Sequence, residues 1–479
     1  MRPIGVGEQR NGIFFYKPME LKELYTFSST VLDSSTLWHI RGGEIEAFSD
    51  AGQSQSGYSA AHSDAPKKKV VVLGTGWAAT SFLKSLKDPS YKVQVTSPRN
   101  YFAYQWHRRS PQHCGSDPQY FQEGTFIFLN KKYGAEYEEA ECYKIDVRNK
   151  KVNCRSTQQS SLGGSEEFEV DYDYLAIAMG ARPNTFNNPG VMEHAHFLKE
   201  VEDAQRTHRS VIDCFERASL PSVSEEEKMR ILHFVVVGGG PAGVVFAGEL
   251  HDFVTEDVKR IYSHLQKYVK ITLVEATGHI LNMFDKRITK FAEEKFLRYR
   301  IELKTGSTVV KLTDKGNSTK EMSTGEIIDI PFGMVVWATG IGTRPVIMEF
   351  MKEIGQVFLA TDEWLRVEGC ESVYALGDCG TINQRKLVED IAAIFSEADE
   401  NNSGPLKIGD FKEVVYQHLG QFAPLGGEQT AAQLPGDWVS IGQSTQWLWH
   451  SVYASKLVSW RTRFLVVSDW TRRYIFGRD

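Results

Sequence analysis

The sequence predicts an α/β fold of two Rossmann-like dinucleotide-binding domains, one of which is inserted into the other. Glycine-rich turns follow apolar runs at Val70–Leu73 and Phe234–Val237, and strand-like segments that end in glycine turns recur at 175–183, 335–345 and 373–379. Continuous apolar runs of this kind are typical of parallel strands buried on both faces. At 479 residues the chain is long enough for two or three buried cores.

Composition narrows the possible functions. A net charge of −6 argues against a general nucleic-acid binder, whose affinity depends on neutralising phosphates. The six cysteines include no C-x-x-C pair, which argues against a disulfide framework or a structural zinc site. No run approaches 18 apolar residues, so we expect no membrane-spanning helix.

The first glycine turn, GTGWAA, predicts a phosphate-binding cradle. Gly74 permits the tight turn, Gly76 lets a pyrophosphate approach the backbone, and the small Ala79 lets the helix pack on the strand. The start of the following helix would face the phosphate. The next strand-like segment, VQVTSPRN, ends without an acidic residue.

The second glycine turn, GGGPAG, predicts a second cradle formed by Gly238, Gly240 and Gly243. The strand that follows ends in Glu275, where a carboxylate accepts both ribose hydroxyls of NAD and repels the extra phosphate of NADP. The two cradles therefore bind different dinucleotides, and we expect the second to bind NADH.

Asp378 lies just past the strand-like segment VYALGDC, where a carboxylate can bind the ribityl hydroxyls of a flavin. The two cradles, the two further strand-turn segments and Asp378 occur in the order expected of one kind of protein. They predict a flavoprotein whose FAD domain is interrupted by an NADH domain. The alternative, that every glycine turn is only structural, would require five coincidences.

Six segments resemble the type II, rotenone-insensitive NAD(P)H dehydrogenases, and in particular the plant external alternative NADH:ubiquinone oxidoreductases. They are GTGWAATSFLK, SPRNYFAY, YDYLAIAMGARPNTF, GGGPAGVVFAGELHDF, EATGHILNMFDKRI and ALGDCGTINQRK. The resemblance covers residues 67–479. It implies hydride transfer from NADH to FAD, then passage of two electrons to ubiquinone without proton pumping. It also implies a homodimer, peripheral on the mitochondrial inner membrane at its intermembrane-space side, although residues 1–66 do not resemble a presequence.

No C-x(4)-C follows the first glycine motif, which excludes a disulfide-reductase mechanism, and we expect Cys379 to be a small buried residue. On this basis the chain divides into six regions. They are an N-terminal extension (1–66), a leading segment of the FAD-binding domain (67–200), an NADH-binding domain (201–345), a closing segment of the FAD-binding domain (346–390), an EF-hand remnant (391–415) and a C-terminal membrane-anchoring region (416–479).

The segment DENNSGPLKIGD has the spacing of an EF-hand calcium loop. Its predicted ligands are Asp399, Asn401, Ser403, the carbonyl of Pro405, and Asp410. Aspartate in place of glutamate at the last position predicts weak affinity, and the alternative is an acidic surface loop.

The C-terminal segment from Gln446 interleaves aromatic residues with arginine and lysine, a pattern that suits the headgroup layer of an anionic membrane. The alternative is an amphipathic helix that docks on the protein itself or on a dimer partner.

The sequence departs from the implied family in three places. From Trp106 to Phe121 the available codons, read one base later, encode family-like text, so we interpret His107, His113 and Cys114 as products of a shifted frame and not as a metal site. Segments resembling TPLLPS and AQVAAQQG are missing, and Val245 stands where the family carries glutamate.

The rival hypotheses are therefore a splice variant or faulty gene model that binds nucleotides without quinone turnover, and another two-dinucleotide flavoprotein such as a ferredoxin reductase.

Overall fold

A computed structural model describes most of the chain from Lys67 onward and a short hairpin before it. The described residues are 5–10, 13–18, 67–86, 88, 90–99, 101–103, 122–124, 134–157, 166–362, 364–382, 420–434, 438–456, 463–464, 466–468 and 470–472. The predicted calcium loop and the segment from Trp106 to Phe121 lie outside them.

The first third of the chain builds an N-terminal hairpin and then most of one α/β domain. The hairpin consists of β1 (Gly5–Arg10) and β2 (Ile13–Pro18). The elements that follow are, in order, β3 (Lys68–Leu73), α1 (Trp77–Ser85), β4 (Tyr91–Ser97), β5 (Tyr101–Ala103), β6 (Gln122–Gly124), β7 (Glu136–Asp146), β8 (Lys151–Ser156), β9 (Glu167–Asp171), β10 (Tyr174–Ile177) and β11 (Arg182–Pro183).

The middle of the chain forms a second α/β domain. Its elements are α2 (Val191–His194), β12 (His196–Phe197), α3 (Val201–Ser219), α4 (Glu225–Ile231), β13 (His233–Val237), α5 (Pro241–Asp252), a π-helical turn (Phe253–Val258), α6 (Lys259–Ile261), a 3₁₀ helix (Ser263–Tyr268), β14 (Lys270–Val274), α7 (Lys286–Arg298), β15 (Glu302–Lys304), β16 (Ser307–Leu312), β17 (Gly316–Glu321), β18 (Ile327–Pro331), β19 (Met334–Trp337) and β20 (Ile341–Gly342).

The remainder of the chain returns to the first domain and then adds a C-terminal region. Its elements are α8 (Pro345–Glu353), β21 (Ala360–Thr361), β22 (Val373–Ala375), a 3₁₀ turn (Gly377–Cys379), β23 (Thr381–Ile382), β24 (Gln421–Pro424), β25 (Thr430–Leu434), β26 (Trp438–Gly442) and α9 (Gln443–Lys456).

Sheet topology confirms that one domain is inserted into the other. The seven-stranded sheet has the order β22-β10-β3-β4-β7-β8-β9, so it joins strands from both sides of the middle segment; we call this the outer domain. The middle segment forms the inserted domain, around a five-stranded parallel sheet of order β12-β19-β13-β14-β15. Strands β16–β18 form a separate antiparallel sheet.

The predicted apolar strands lie at the centres of the two sheets. Strand β3 pairs in parallel with β10 and β4, and Val70–Leu73 are almost fully buried. In the inserted domain, β13 pairs in parallel with β14 and β19, and all five of its residues are buried. Strands that are covered by helices on both faces need apolar side chains on both faces, which accounts for the unbroken apolar runs.

The C-terminal region is attached to the inserted domain by buried charged side chains. The Nζ of Lys295 on α7 donates to the carbonyl of Gly426 at 2.5 Å and to Oε1 of Gln429 at 2.9 Å, both in the turn between β24 and β25. On α5, Oδ2 of Asp252 accepts from the amide of Gly427 at 2.5 Å. Lys295 and Asp252 are both buried, and burial lowers the pKa of Lys295 to about 8.

Lys295→Met should loosen this attachment and change how stability depends on pH. In the unfolded chain Lys295 has its ordinary pKa of 10.5, so between about pH 8 and 10.5 the unfolded state binds more protons than the folded state. The free energy of unfolding of the wild-type protein should therefore rise across that window relative to Lys295→Met. Chemical denaturation at pH 7, 8.5 and 10 measures the difference.

The control is Lys290→Met, since Lys290 lies on the same helix and is exposed. Its pH profile should match that of the wild type. A constant difference between wild type and Lys295→Met at all three pH values would contradict the lowered pKa.

Candidate dinucleotide-binding sites

The first cradle lies where β3 ends and α1 begins. Gly74 has φ +109°, and a Cβ atom placed on it would lie 2.5 Å from the carbonyl oxygen of Ala178, at the end of the neighbouring strand β10. Gly76 precedes α1, and a Cβ there would meet nothing within 4 Å. Ala79 is fully buried against the sheet. The three residues therefore differ in their surroundings. Gly74 makes a crowded turn, Gly76 leaves the backbone open to a ligand, and Ala79 lets the helix pack closely on the strand.

Asp378 lies beside this cradle because β22 borders the same sheet. Gly377 has φ +74°, and a Cβ on it would lie 2.9 Å from Cβ of Ala78 in the first turn of α1. The carboxylate of Asp378 is about half exposed, and its Oδ2 lies 2.7 Å from Nζ of Lys199. The structure thus brings Asp378 to the start of the same helix as Gly76 and places Lys199 beside it.

The second cradle repeats this geometry in the inserted domain. Gly238 has φ +112°, and a Cβ on it would lie 2.5 Å from the carbonyl oxygen of Ala338, which follows β19. Gly240 precedes α5 and faces open space. Gly243 packs so closely on the turn that a Cβ would overlap the carbonyl oxygen of Gly238. The residues predicted to form each cradle therefore come together in both domains.

Glu275 lies at the end of β14 with its carboxylate at the mouth of the second cradle. Its Oε2 accepts a hydrogen bond from the amide of Gly239 at 2.5 Å. Its Oε1 accepts from the amide and hydroxyl of Thr277 at 2.8 and 2.9 Å. These hydrogen bonds hold the carboxylate beside the backbone of the second glycine turn.

A charged cluster that the sequence did not predict joins the start of α3 to the outer domain. Glu200, just before α3, accepts from Nη1 of Arg99 at 2.6 Å and from Nη2 of Arg344 at 3.1 Å. Arg344 also donates through Nε to the carbonyl of Met179 at 2.8 Å. The sequence could have suggested this cluster, because Lys199, Glu200 and Arg344 are charged residues at the two predicted domain boundaries, near residues 200 and 345.

Cys379 is a buried structural thiol, as expected. Its Sγ lies 3.1 Å from the carbonyl oxygen of Ile177 and 3.2 Å from that of Leu376. Burial raises its pKa to about 11. A thiol of this kind is a poor nucleophile at neutral pH.

Val245 lies in the second turn of α5, and its side chain is 3% exposed. It packs in an apolar cluster with Trp449, Val466 and Trp470 from the C-terminal region. One face of α9 thus docks on the protein, as one of the two alternatives for this segment predicts. Elsewhere in the region Trp447 is 48% and Phe464 73% exposed.

Within the described part of the chain, no helix is long and apolar enough to cross a membrane. Among the same residues, no group of three acidic, histidine or cysteine side chains is arranged to hold a metal ion. The predicted calcium ligands are not among them.

Two family models match the chain. Residues 68–394 match the pyridine nucleotide-disulphide oxidoreductases, and residues 418–479 match the NDH2 C-terminal domain. The first match spans the outer and inserted domains, and the second begins just before β24.

Named relatives match over most of the chain. The external alternative NAD(P)H-ubiquinone oxidoreductase B4, mitochondrial, of Arabidopsis thaliana is 48% identical, with 97% of this chain and 98% of the relative covered. The B1 protein of Solanum tuberosum is 44% identical, with 95% and 99% covered. The external alternative NADH-ubiquinone oxidoreductase of Yarrowia lipolytica is 34% identical, with 87% and 81% covered.

Among solved structures, NDH2 from Plasmodium falciparum in complex with NADH has a TM-score of 0.76 at 26% identity, with 86% of this chain and 99% of that chain covered. The sulfide:quinone oxidoreductase of Aquifex aeolicus shares the fold at 14% identity, with a TM-score of 0.61, 86% of this chain and 96% of that chain covered.

The fold and the paired cradles define a two-dinucleotide oxidoreductase of the pyridine nucleotide-disulphide oxidoreductase type. Within it, the chain belongs to the type II, alternative NAD(P)H-ubiquinone oxidoreductases and is an enzyme of that family. This confirms the resemblance and excludes a ferredoxin reductase.

The alignment with the Arabidopsis B4 protein runs over 579 positions, whereas this chain has 479 residues, so at least 100 positions have no counterpart here. These positions are gaps within the alignment, so internal segments of the relative have no counterpart in this chain.

Gly74→Ala and Gly76→Ala should separate folding from cofactor binding. Gly74→Ala places a Cβ against a backbone carbonyl at a positive φ, so we expect a loss of at least about 2–3 kcal/mol of stability and no stable flavin content. Gly76→Ala meets no neighbour, so the protein should fold normally and retain less flavin. Thermal unfolding and the flavin content of the purified proteins measure the two effects. Equal stabilities for both variants would contradict the assignment.

Glu275→Gln should weaken NADH binding and reduce discrimination against NADPH. Loss of a charged hydrogen-bond acceptor costs about 1.5–3 kcal/mol, so the KM for NADH should rise about 10-fold or more. The matched control is Glu302→Gln, because Glu302 lies on the adjacent strand and faces Lys270 at 2.9 Å. An unchanged ratio of kcat/KM for NADH over NADPH in Glu275→Gln would exclude this role.

Proposed function

We propose that this protein is an FAD-dependent NADH:ubiquinone oxidoreductase that transfers two electrons from NADH to ubiquinone without pumping protons. The observation that supports it best is the repeated cradle: the same crowded glycine and the same open glycine precede a helix in each of two interlocked domains. The names of the relatives, which are NAD(P)H-ubiquinone oxidoreductases, support the same reaction.

The outer domain is the proposed FAD site. Gly74, Gly76 and Ala79 would hold the pyrophosphate at the start of α1, and Asp378 would accept from the ribityl hydroxyls. Lys199 fits this assignment, because its ammonium neutralises Asp378 and lies at the same edge of the sheet. FAD, when bound, supplies the two-electron chemistry that no side chain provides.

The inserted domain is the proposed NADH site. Gly238, Gly240 and Gly243 would hold the pyrophosphate at the start of α5, and Glu275 would accept from the ribose hydroxyls. Glu200, held between Arg99 and Arg344, fixes the start of α3 in the inserted domain against the outer domain. Hydride transfer needs contact geometry between the two cofactors, so errors of about 1 Å in the placement of the domains would be costly.

We infer that the C-terminal region carries the protein at the surface of the mitochondrial inner membrane, on the intermembrane-space side. Trp447, Phe464 and Val467 are exposed, while Trp449 and Trp470 anchor the same region to the protein. Exposed aromatic residues on a docked amphipathic segment suit insertion at headgroup depth. The mitochondrial names of the relatives support the location. We also propose that the protein forms a homodimer.

Calcium modulation through Asp399, Asn401, Ser403, Pro405 and Asp410 also belongs to the proposal and is supported by the spacing of the loop alone. With aspartate at its last position, we expect an effect only at high micromolar calcium or above, since weak EF-hand sites bind at about 10⁻⁴–10⁻³ M.

The visible spectrum of the purified full chain tests the proposed reaction. We expect a flavin absorption band that bleaches when NADH is added without oxygen and returns when a soluble ubiquinone is added. Bleaching without recovery would mean that the chain binds both nucleotides but has lost the quinone half-reaction, which is the rival hypothesis raised by the missing segments. A colourless protein would contradict the proposal as a whole.

A further inference from the structure

Two cysteines lie directly opposite each other in the antiparallel region of the outer sheet. Cys142 on β7 is the register partner of Cys154 on β8. Opposed residues of an antiparallel pair have Cα atoms about 4.5–5.5 Å apart. Disulfides need a Cα separation of about 4.4–6.8 Å, so this pair meets the main distance requirement without movement of the strands.

The two side chains are neighbours across the strand pair, and the Cys142 thiol donates to the carbonyl oxygen of Lys144 at 3.5 Å. The proximity of Cys154 raises the pKa of Cys142, and the proximity of Cys142 lowers the pKa of Cys154. Both residues are free thiols. Cys154 is fully buried and Cys142 is 7% exposed, so the pair lies just beneath the surface.

The surrounding structure favours a small local change over a rearrangement. The register of β7 and β8 shifts immediately after Cys142, at a bulge between Cys142 and Lys144. On the side of the pair away from the bulge, β8 is held to β9 by the ion pair of Arg155 with Glu167 at 2.8 Å. A bulge bends the strand and disrupts the ladder locally, so the backbone beside Cys142 is held less tightly than in a regular strand pair.

We propose that Cys142 and Cys154 are an oxidisable dithiol, and that a peroxide converts them into a disulfide that links β7 to β8. In the balanced step, the two thiols give up two protons and two electrons, and an S–S bond forms. The O–O bond of hydrogen peroxide breaks, and two molecules of water leave. A sulfenic acid on one cysteine, attacked by the other, connects the two states. Burial makes the step slow, since oxidation follows thiolate character and exposure.

Thiol counting on the full-length protein tests the pair. The native protein is incubated with hydrogen peroxide, the oxidant is removed, and thiols are counted after denaturation. The six cysteines of the chain should fall to four, and a disulfide-linked peptide pair containing Cys142 and Cys154 should appear in a digest. Reduction should restore all six.

Two variants show which cysteines account for the loss of thiols. Cys142→Ser should keep its five remaining thiols under the same treatment. Cys214→Ser, which removes a buried cysteine of α3, should fall from five to three. The oxidised wild-type protein should also unfold about 2–5 °C higher than the reduced protein, because a short cross-link restricts the unfolded chain.

A constant count of six thiols after oxidation would overturn the proposal. So would a linked pair that contains any other cysteine, or an equal loss of thiols in Cys142→Ser. The peptide map of the wild-type protein decides the outcome even if a variant fails to fold.

Discussion

Both domains depend on one steric constraint: a backbone turn that passes too close to a neighbouring carbonyl for any side chain. At Gly74 and at Gly238 the chain leaves the central strand at nearly the same positive φ, and in both cases a Cβ would lie 2.5 Å from the carbonyl oxygen that follows the next strand. This close approach directs the following helix across the end of the sheet. Gly76 and Gly240 are the open positions where these helices start, and Asp378 and Glu275 lie beside the two turns.

Much of this arrangement could be predicted from the sequence because it is local. A buried parallel strand needs an unbroken apolar run, and a tight turn into a helix needs glycine at a fixed position; both requirements involve residues that are close in the chain. The acids at the ends of β14 and β22 follow from the same rule, since the carboxyl ends of parallel strands meet at one edge of the sheet. The insertion of one domain into the other followed from the order of these motifs.

The features that were not predicted depend on contacts between distant residues. Glu200 pairs with Arg99 and Arg344, which are 101 and 144 positions away in the sequence. The sequence could not show that Val245 would be covered by Trp449 and Trp470, nor that Lys295 would meet the turn between β24 and β25. The C-terminal segment left two alternatives open, because a face that docks on the protein and a face that meets a membrane have similar composition.

The two chain crossings between the domains lie next to each other. Strands β11 and β20 pair antiparallel, with Arg182 opposite Gly342 and Pro183 opposite Ile341, so the inserted domain enters and leaves through a two-stranded ribbon. Its two ends are therefore only about one strand spacing apart, roughly 5 Å. A domain whose ends meet in this way can be removed, exchanged or added without a gap in the host sheet. The inserted domain is in this sense an interchangeable module, and the ribbon marks the junctions at which a chimaera between relatives should be cut.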